Sequence, residues 1–486
     1  MDHDTKFQIS NKIRDFINHK WTLVLYMFFL LAVVPGYLII GAFFLPAQYD
    51  KTFMGELKYK CERLQETRGK RIILVGGSSL AFGIDSALIE KYLPDYEVVN
   101  FGMYAALGTT AMFDLTISEI RSGDIIIISP EQNHQALSDY FNAEIMWQGL
   151  DGSFALLRRF DREKLQKLMG QLPYFAVSKW NYWKDQNAPE PTGVYSRAAF
   201  NQYGDIEWAD CQQNIMPMGY DTTTLVEFSD RLPEKEFLEE CNQYIDTGTE
   251  RGCMVWYRFS PMNDLAVDNT INIDAYYDQL QQSLHCEMMG NPNDMVMDAK
   301  WFYDTNFHLN QSGKIFNTCQ MIRDIKAMLG DSSPTTIEVP EAPEMKQEQE
   351  AAAEEGDVPC FTYEKRNQSV FVTGLTEEGR KSTSLIVPAK WEGEIVTGIA
   401  ADAFKDEKQL KCLVLQKNIC IIEDNAFFGC SKMEQIVLEE IKPEGCQVGF
   451  ELLNGTDAVL LAETEFVSSY KVNYAWSVYS SRIFSQ

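Results

Sequence analysis

The chain has 486 residues, of which 45% are apolar and 23% charged, and its net charge is −27. This length predicts two or three domains, and the apolar content predicts packed cores, which excludes a disordered protein. So acidic a balance excludes nucleic acid as a partner, because phosphate binding needs basic clusters, and it disfavours a soluble part lying flat on anionic lipid.

Taken in chain order, the first strong feature is the uncharged run Trp21–Leu45, WTLVLYMFFLLAVVPGYLIIGAFFL. About 20 apolar residues cross a hydrocarbon core, so the run predicts a transmembrane helix over 21–45, kinked at Pro35 and Gly36. The rival reading is a cleavable signal peptide, whose apolar region is usually ~7–15 residues. Lys20 abuts the run, whereas Lys51 lies beyond it, which orients residues 1–20 as a cytoplasmic tail. The expectation is therefore a single-pass cell-membrane protein with its bulk extracytoplasmic, joined by a polar stalk over 46–69.

From about Lys70, strand and helix signals alternate. RIILVGG, YEVVNFG and GDIIIISP predict buried strands, followed later by CMVWYRF and MVMD. Helical patterns fall at Ser86–Tyr92, Thr109–Arg121, Glu234–Tyr244, Ile273–Leu284 and Gln311–Met328. The alternation predicts an α/β domain over 70–330, a three-layer sandwich with a central parallel sheet. Asp139–Leu232 breaks the pattern and reads as an insertion over the sheet, where loops usually shape a site. Its Trp147, Trp180, Trp183 and Trp208 leave two readings open, packing or stacking on sugar rings. Residues 331–359 hold nine acidic residues against one lysine and read as a linker.

The remainder, 360–486, contains a repeat with an offset of 23 residues. Ile399 matches Ile422, Ala403–Phe404 match Ala426–Phe427, Leu410 matches Met433, and Leu413/Leu415 match Ile436/Leu438. A fixed period with alternating apolar ends predicts a solenoid whose units lean on each other. The pattern I-x-x-x-A-F-x-x-C resembles the BspA-type leucine-rich repeat of bacterial and protist surface proteins, over about Ser384–Leu438. That resemblance implies a ligand for the repeat domain, with two readings open, a protein or a sugar.

The sharpest chemical signal is Gly76-Gly77-Ser78-Ser79-Leu80-Ala81-Phe82-Gly83, between a predicted strand and a helix. Hydroxyls there stand at the carboxyl end of the sheet, where open α/β folds bind ligands. A plain Gly/Ser turn is the other reading. Asn100-Phe101-Gly102 ends the next strand, and Asp304-Thr305-Asn306-Phe307-His308 precedes the closing helix. This order of pieces resembles the SGNH (GDSL-type) hydrolase family over about Lys70–Leu329. The resemblance implies Ser79 as nucleophile, His308 as its base, Asp304 as the residue orienting His308, and the N–H groups of Ser79 and Gly102 as the oxyanion hole.

Two departures stand out. Asp304 and His308 are four apart where the family has D-x-x-H. The third block, G-x-N-D in the family, is Ser129-Pro130-Glu131-Gln132-Asn133-His134, so Glu131 replaces the oxyanion-binding asparagine unless Asn133 takes its place. Losing one such donor costs ~2.7–4 kcal/mol of transition-state stabilisation. Tyr195–Asp205 also looks like a segment of membrane-tethered family members, as a wall of the site or as a surface loop.

The reading that emerges is a membrane-anchored serine esterase or O-acyltransferase acting on a cell-envelope polysaccharide or wall polymer. The alternative is a catalytically degenerate fold serving as a scaffold through its repeats. Eleven cysteines show no CxxC pair or Cys/His metal spacing, and there is no phosphate loop or dinucleotide fingerprint, so no cofactor and no metal are expected.

Overall fold

The computed structural model describes the chain except residues 1–21, 23–28, 185–192, 217–218, 222–224, 227, 229–232, 268–271, 345–359, 367–368, 464–465, 474 and 486. It divides into two compact units. One comprises residues up to Asp50 with Ala143–Ala188, and the other Lys51–Asn142 with Pro189–Gln486.

The first unit corrects the expected membrane anchor. Among the described residues no helix is long and apolar enough to cross a membrane. The described part of the apolar run is a short π-helical turn, Phe29–Val33, followed by a ten-residue helix, Val34–Phe43. At ~1.5 Å per residue that helix reaches about 15 Å, half of a ~30 Å hydrocarbon core. The run's earlier residues 21 and 23–28, like the tail 1–20, lie outside the described residues. Within the helix Val34–Phe43 only Gly41 and Ala42 are buried, and a few of its residues are tied to the helix that carries Lys179 and Trp180. Tyr37 stacks on Trp180 at 4.9 Å, the Trp180 indole N–H donates to the Tyr37 carbonyl, and Lys179 donates to the carbonyls of Ala42 and Leu45. The expected single-pass membrane anchor is therefore overturned.

Two further helices, Ala143–Leu150 and Arg162–Lys184, complete this unit. Trp147 is fully buried, stacked on Phe175 at 4.8 Å with its N–H donated to the Leu168 carbonyl. Packing, not sugar stacking, accounts for it. The Lys179 ammonium meets Asp151 at 2.6 Å, and the second Asp151 oxygen accepts the N–H groups of Gln48 and Tyr49, so this buried pair is fully engaged.

In the second unit, the strands of the α/β part are β1 (Lys70–Gly76), β2 (Tyr96–Gly102), β3 (Ile125–Ser129), β4 (Met254–Tyr257), β5 (Met262–Asn263), β6 (Glu287–Met288) and β7 (Val296–Met297). The main sheet has the order β2-β1-β3-β4-β6 and every pairing in it is parallel. Ile72–Val75 and Ile125–Ile128 are wholly buried, as strands covered on both faces must be. The expected stalk carries the helix Glu56–Glu66, whose Leu57 and Leu64 are buried. Beside it, Arg71 forks onto both oxygens of Asp124 at 3.0 and 2.5 Å and donates to the carbonyls of Leu64 and Glu119.

The strand order reverses between β1 and β3, and this switch point creates the site. Gly76 is level with both Gly102 and Ser129, so the residues after all three strands emerge at one edge. Ser78 follows β1 by two residues and Glu131 follows β3 by two. The sequence places them 53 apart; the register puts them face to face.

The C-terminal part is a solenoid. Its strands are β8 (Phe361–Arg366), β9 (Ser369–Leu375), β10 (Ser384–Ile386), β11 (Lys390–Trp391), β12 (Glu394–Ile399), β13 (Cys412–Leu415), β14 (Ile421–Ile422), β15 (Gln435–Leu438), β16 (Gln447–Val448), β17 (Val459–Ala462) and β18 (Ile483–Ser485). They stack as two sheets, β10-β13-β15-β17-β18 and β16-β14-β12-β9-β8. The residues equated by the 23-residue offset are neighbours in space. Ile399 pairs with Ile422, Leu413 with Ile436 and Leu415 with Leu438, while Phe404 and Phe427 stack at 5.5 Å. The stack continues past the two units legible in sequence: Leu438 pairs with Ala462, and Leu460 with Ile483. Because each coil covers the next, Phe427→Ala is expected to cost the repeat part about 3–5 kcal/mol. Denaturant unfolding of the variant measures this, and a loss below ~1 kcal/mol contradicts it.

Candidate active site

His308 sits in a turn that absorbs the extra residue. Phe302 and Leu309 form an antiparallel bridge, the Tyr303 N–H donates to the His308 carbonyl at 2.8 Å, and Thr305 Oγ1 accepts the His308 N–H at 3.1 Å. Asn310 then caps the closing helix Gln311–Met328 by accepting the Gly313 N–H, and its amide donates to the carbonyls of Lys300 and Phe302. With the turn stitched at both ends, His308 Nδ1 lies 2.9 Å from Asp304 Oδ1. The Phe82 ring lies flat on the imidazole at 3.9 Å, fixing its plane.

The other ring nitrogen of the imidazole meets Ser78. His308 Nε2 is 2.8 Å from Ser78 Oγ, giving a continuous chain from Asp304 through His308 to a hydroxyl. Ser79, the nucleophile implied by the sequence resemblance, is not in that chain. Its Oγ points to the sheet, 3.0 Å from Ser260 Oγ, and Ser260 in turn donates to the Ser129 carbonyl. At the start of the helix Ser78–Gly83 the two adjacent serines point about 100° apart, so only one can reach the histidine.

The oxyanion side also differs from expectation. The Ser79 N–H donates to Glu131 Oε1 at 2.8 Å, and the Gly102 N–H donates to Asn100 Oδ1 at 3.0 Å, so both implied donors are engaged. Glu131 Oε1 also accepts from the Ser78 hydroxyl at 3.0 Å. Ser78 has one proton and two acceptors facing it, His308 Nε2 and Glu131 Oε1. Asn133 does not replace Glu131 in the site; its amide donates to Glu131 Oε2 at 3.2 Å. Gly77 is required by this arrangement, because a Cβ there would lie 2.6 Å from Glu131 Oε1.

The Tyr195–Asp205 segment supplies two buried groups. The Tyr195 hydroxyl donates to Asp304 Oδ2 at 2.5 Å and lies 3.3 Å from His308 Nδ1. Burial, then the neighbouring Asp304 charge, pushes this phenol well above its ordinary pKa, so it stays a donor. Asp205 accepts from the Ser86 N–H and hydroxyl and from the Asn100 amide, tying the segment to the edge of the sheet. Sequence reasoning singled out the segment but not the Tyr195 hydroxyl, nor Ser78, nor Ser260. A GGSS turn shows that one serine is presented, not which.

The serine and the histidine are enclosed, Ser78 being 4% exposed and His308 2%. A groove of about 350 Å³ lies elsewhere, between the helix Glu56–Glu66 and the loop 197–204. From the repeat part, the Gln447 amide reaches the Asp304 carbonyl at 3.4 Å. Among the described residues no cluster of His, Cys, Asp and Glu is placed to hold a metal ion.

No protein-family model and no curated protein matches the sequence. Solved structures similar to part of the chain include leucine-rich repeat proteins. One from T. pallidum is 20% identical, covering 21% of this chain and 46% of its own, with a TM-score of 0.19. Another, from Bacteroides ovatus, is 18% identical, covering 23% and 38%, with a TM-score of 0.18. A leucine-rich cell surface protein from Faecalibacterium prausnitzii is 16% identical, covering 25% and 35%, with a TM-score of 0.17. The chain thus spans less than half the length of each of these three.

Proposed function

We propose that the α/β part is a serine-dependent acyl-ester hydrolase or acyltransferase of the SGNH kind, with Ser78 as nucleophile. The observation that carries this reading is the unbroken chain Asp304–His308–Ser78 at the switch point of the sheet. In the proposed reaction His308 Nε2 takes the Ser78 proton as Oγ attacks the ester carbonyl carbon. The tetrahedral intermediate collapses as His308 returns that proton to the leaving alcohol, leaving acyl-Ser78. Water or a sugar hydroxyl then gives a proton to His308 as it attacks the acyl carbon, and His308 returns that proton to Ser78 Oγ as the acyl–Oγ bond breaks. The same residues serve either acceptor; a polysaccharide acceptor fits this scheme without any further group.

Glu131 supports a second reading, a catalytically silent scaffold working through its repeats. A carboxylate against Ser78 and two engaged N–H donors leave little to stabilise an oxyanion. A fluorophosphonate probe separates the two. The full chain should acquire an adduct that peptide mass spectrometry places on Ser78. Absence of any adduct in both the native chain and Glu131→Gln leaves the scaffold reading standing.

A further inference from the structure

We infer that Tyr195 is a positioning residue for the Asp304–His308 pair, a fourth member of the relay contributed by the insertion; this rests on the reaction proposed above. Asp304 offers two oxygens, and His308 occupies only Oδ1. The second, Oδ2, is held by the Tyr195 hydroxyl at 2.5 Å, so the carboxylate cannot rotate away from the imidazole without breaking that bond. The same hydroxyl lies 3.3 Å from Nδ1, on the edge where the Asp304–His308 bond is made.

The tyrosine is itself held on several sides. Its carbonyl accepts the Phe53 N–H at 3.0 Å, and the next residue, Ser196, bridges antiparallel to Thr52. Its ring packs against Phe53 at 5.8 Å and Phe82 at 6.0 Å, and Phe82 is the ring stacked on His308. One aromatic chain therefore fixes both the donor to the aspartate and the plane of the histidine.

Removing the hydroxyl has a signed consequence. The bond to Oδ2 draws off part of the Asp304 charge, and without it the carboxylate faces Nδ1 undiminished, favouring the protonated imidazole. The other titratable groups nearby are Glu131 across Ser78, and Tyr303 and Cys211 beside Asp304, with Asp210 beyond them. Burial, reinforced by the Asp304 charge, pushes the Cys211 thiol up to about 12 and raises Tyr303 as well, so both stay neutral around neutral pH.

The test is an NMR titration of the histidine side chains in the full chain, the His308 signal being assigned by its loss in His308→Gln. Tyr195→Phe is expected to move the His308 midpoint upward by about half a pH unit. It should also lower kcat about tenfold while KM stays within about twofold. Phe53→Leu, which loosens the ring packing and leaves the hydroxyl, should move the midpoint in the same direction but by less than Tyr195→Phe does. A His308 titration in Tyr195→Phe that matches the native chain, or one that moves equally in Phe53→Leu, overturns the inference. The titration needs no turnover, so a chain that never labels at Ser78 defeats the proposed reaction while the Tyr195 coupling is still measured.

Discussion

Replacing Glu131 by glutamine should raise p-nitrophenyl acetate hydrolysis by the full chain at least ~10-fold. Glu131 Oε1 lies 3.0 Å from Ser78 Oγ, so its charge stands next to any oxyanion formed on the acyl carbon. Two like charges ~4 Å apart repel by about 4 kcal/mol at an effective dielectric constant near 20. Glutamine has the same shape and can still accept the Ser79 N–H, but it carries no charge. It is also a weaker competitor for the single Ser78 proton, which frees that proton for His308. Part of the gain is offset at Asn133, whose amide now donates to Glu131 Oε2 and would face an NH₂ group unless it turned. A tenfold gain needs only ~1.4 kcal/mol of the repulsion to be realised. A rate at or below that of the native chain, with an unchanged melting temperature, would remove Glu131 as a brake and favour the scaffold.

The second large effect separates the adjacent serines. In the more active Glu131→Gln background, Ser78→Ala should bring hydrolysis to the buffer rate, because removing a relay nucleophile costs ~10⁴-fold or more in comparable enzymes. Ser79→Ala should remain within a few-fold. It loses a hydrogen bond to Ser260 worth about 1 kcal/mol of stability but keeps the backbone N–H that points at residue 131. Initial rates for the two variants decide the matter. Loss of activity in Ser79→Ala with retention in Ser78→Ala would contradict the geometry and return the role to the serine that the sequence resemblance implied.

Several features are legible from residues alone because they depend on local pattern. RIILVGG and GDIIIISP are short apolar runs ended by Gly or Pro, and both are buried parallel strands. The 23-residue offset follows from identical apolar spacing, and the coils stack in that register. The third coil escapes the pattern because its spacing changes, with Val448 26 residues after its partner Ile422, and because Leu452 and Leu453 provide its buried apolar pair. The apolar run near the N-terminus misleads for a related reason. Hydropathy counts apolar residues without knowing how the backbone runs, and here the described residues form a π-helical turn and a helix of ten residues.

The sequence by itself determined an α/β architecture, a stacked repeat, and the three segments from which the candidate site is built, since each is written in a contiguous run of residues. Tertiary structure alone decided which serine meets His308, that Glu131 closes on it, and that Tyr195 holds the far oxygen of Asp304. These contacts join residues 53 to 230 positions apart. Their geometry is set by strand order, side-chain direction at the first helical turn, and the packing of Phe82 and Phe53, none of which a linear pattern encodes.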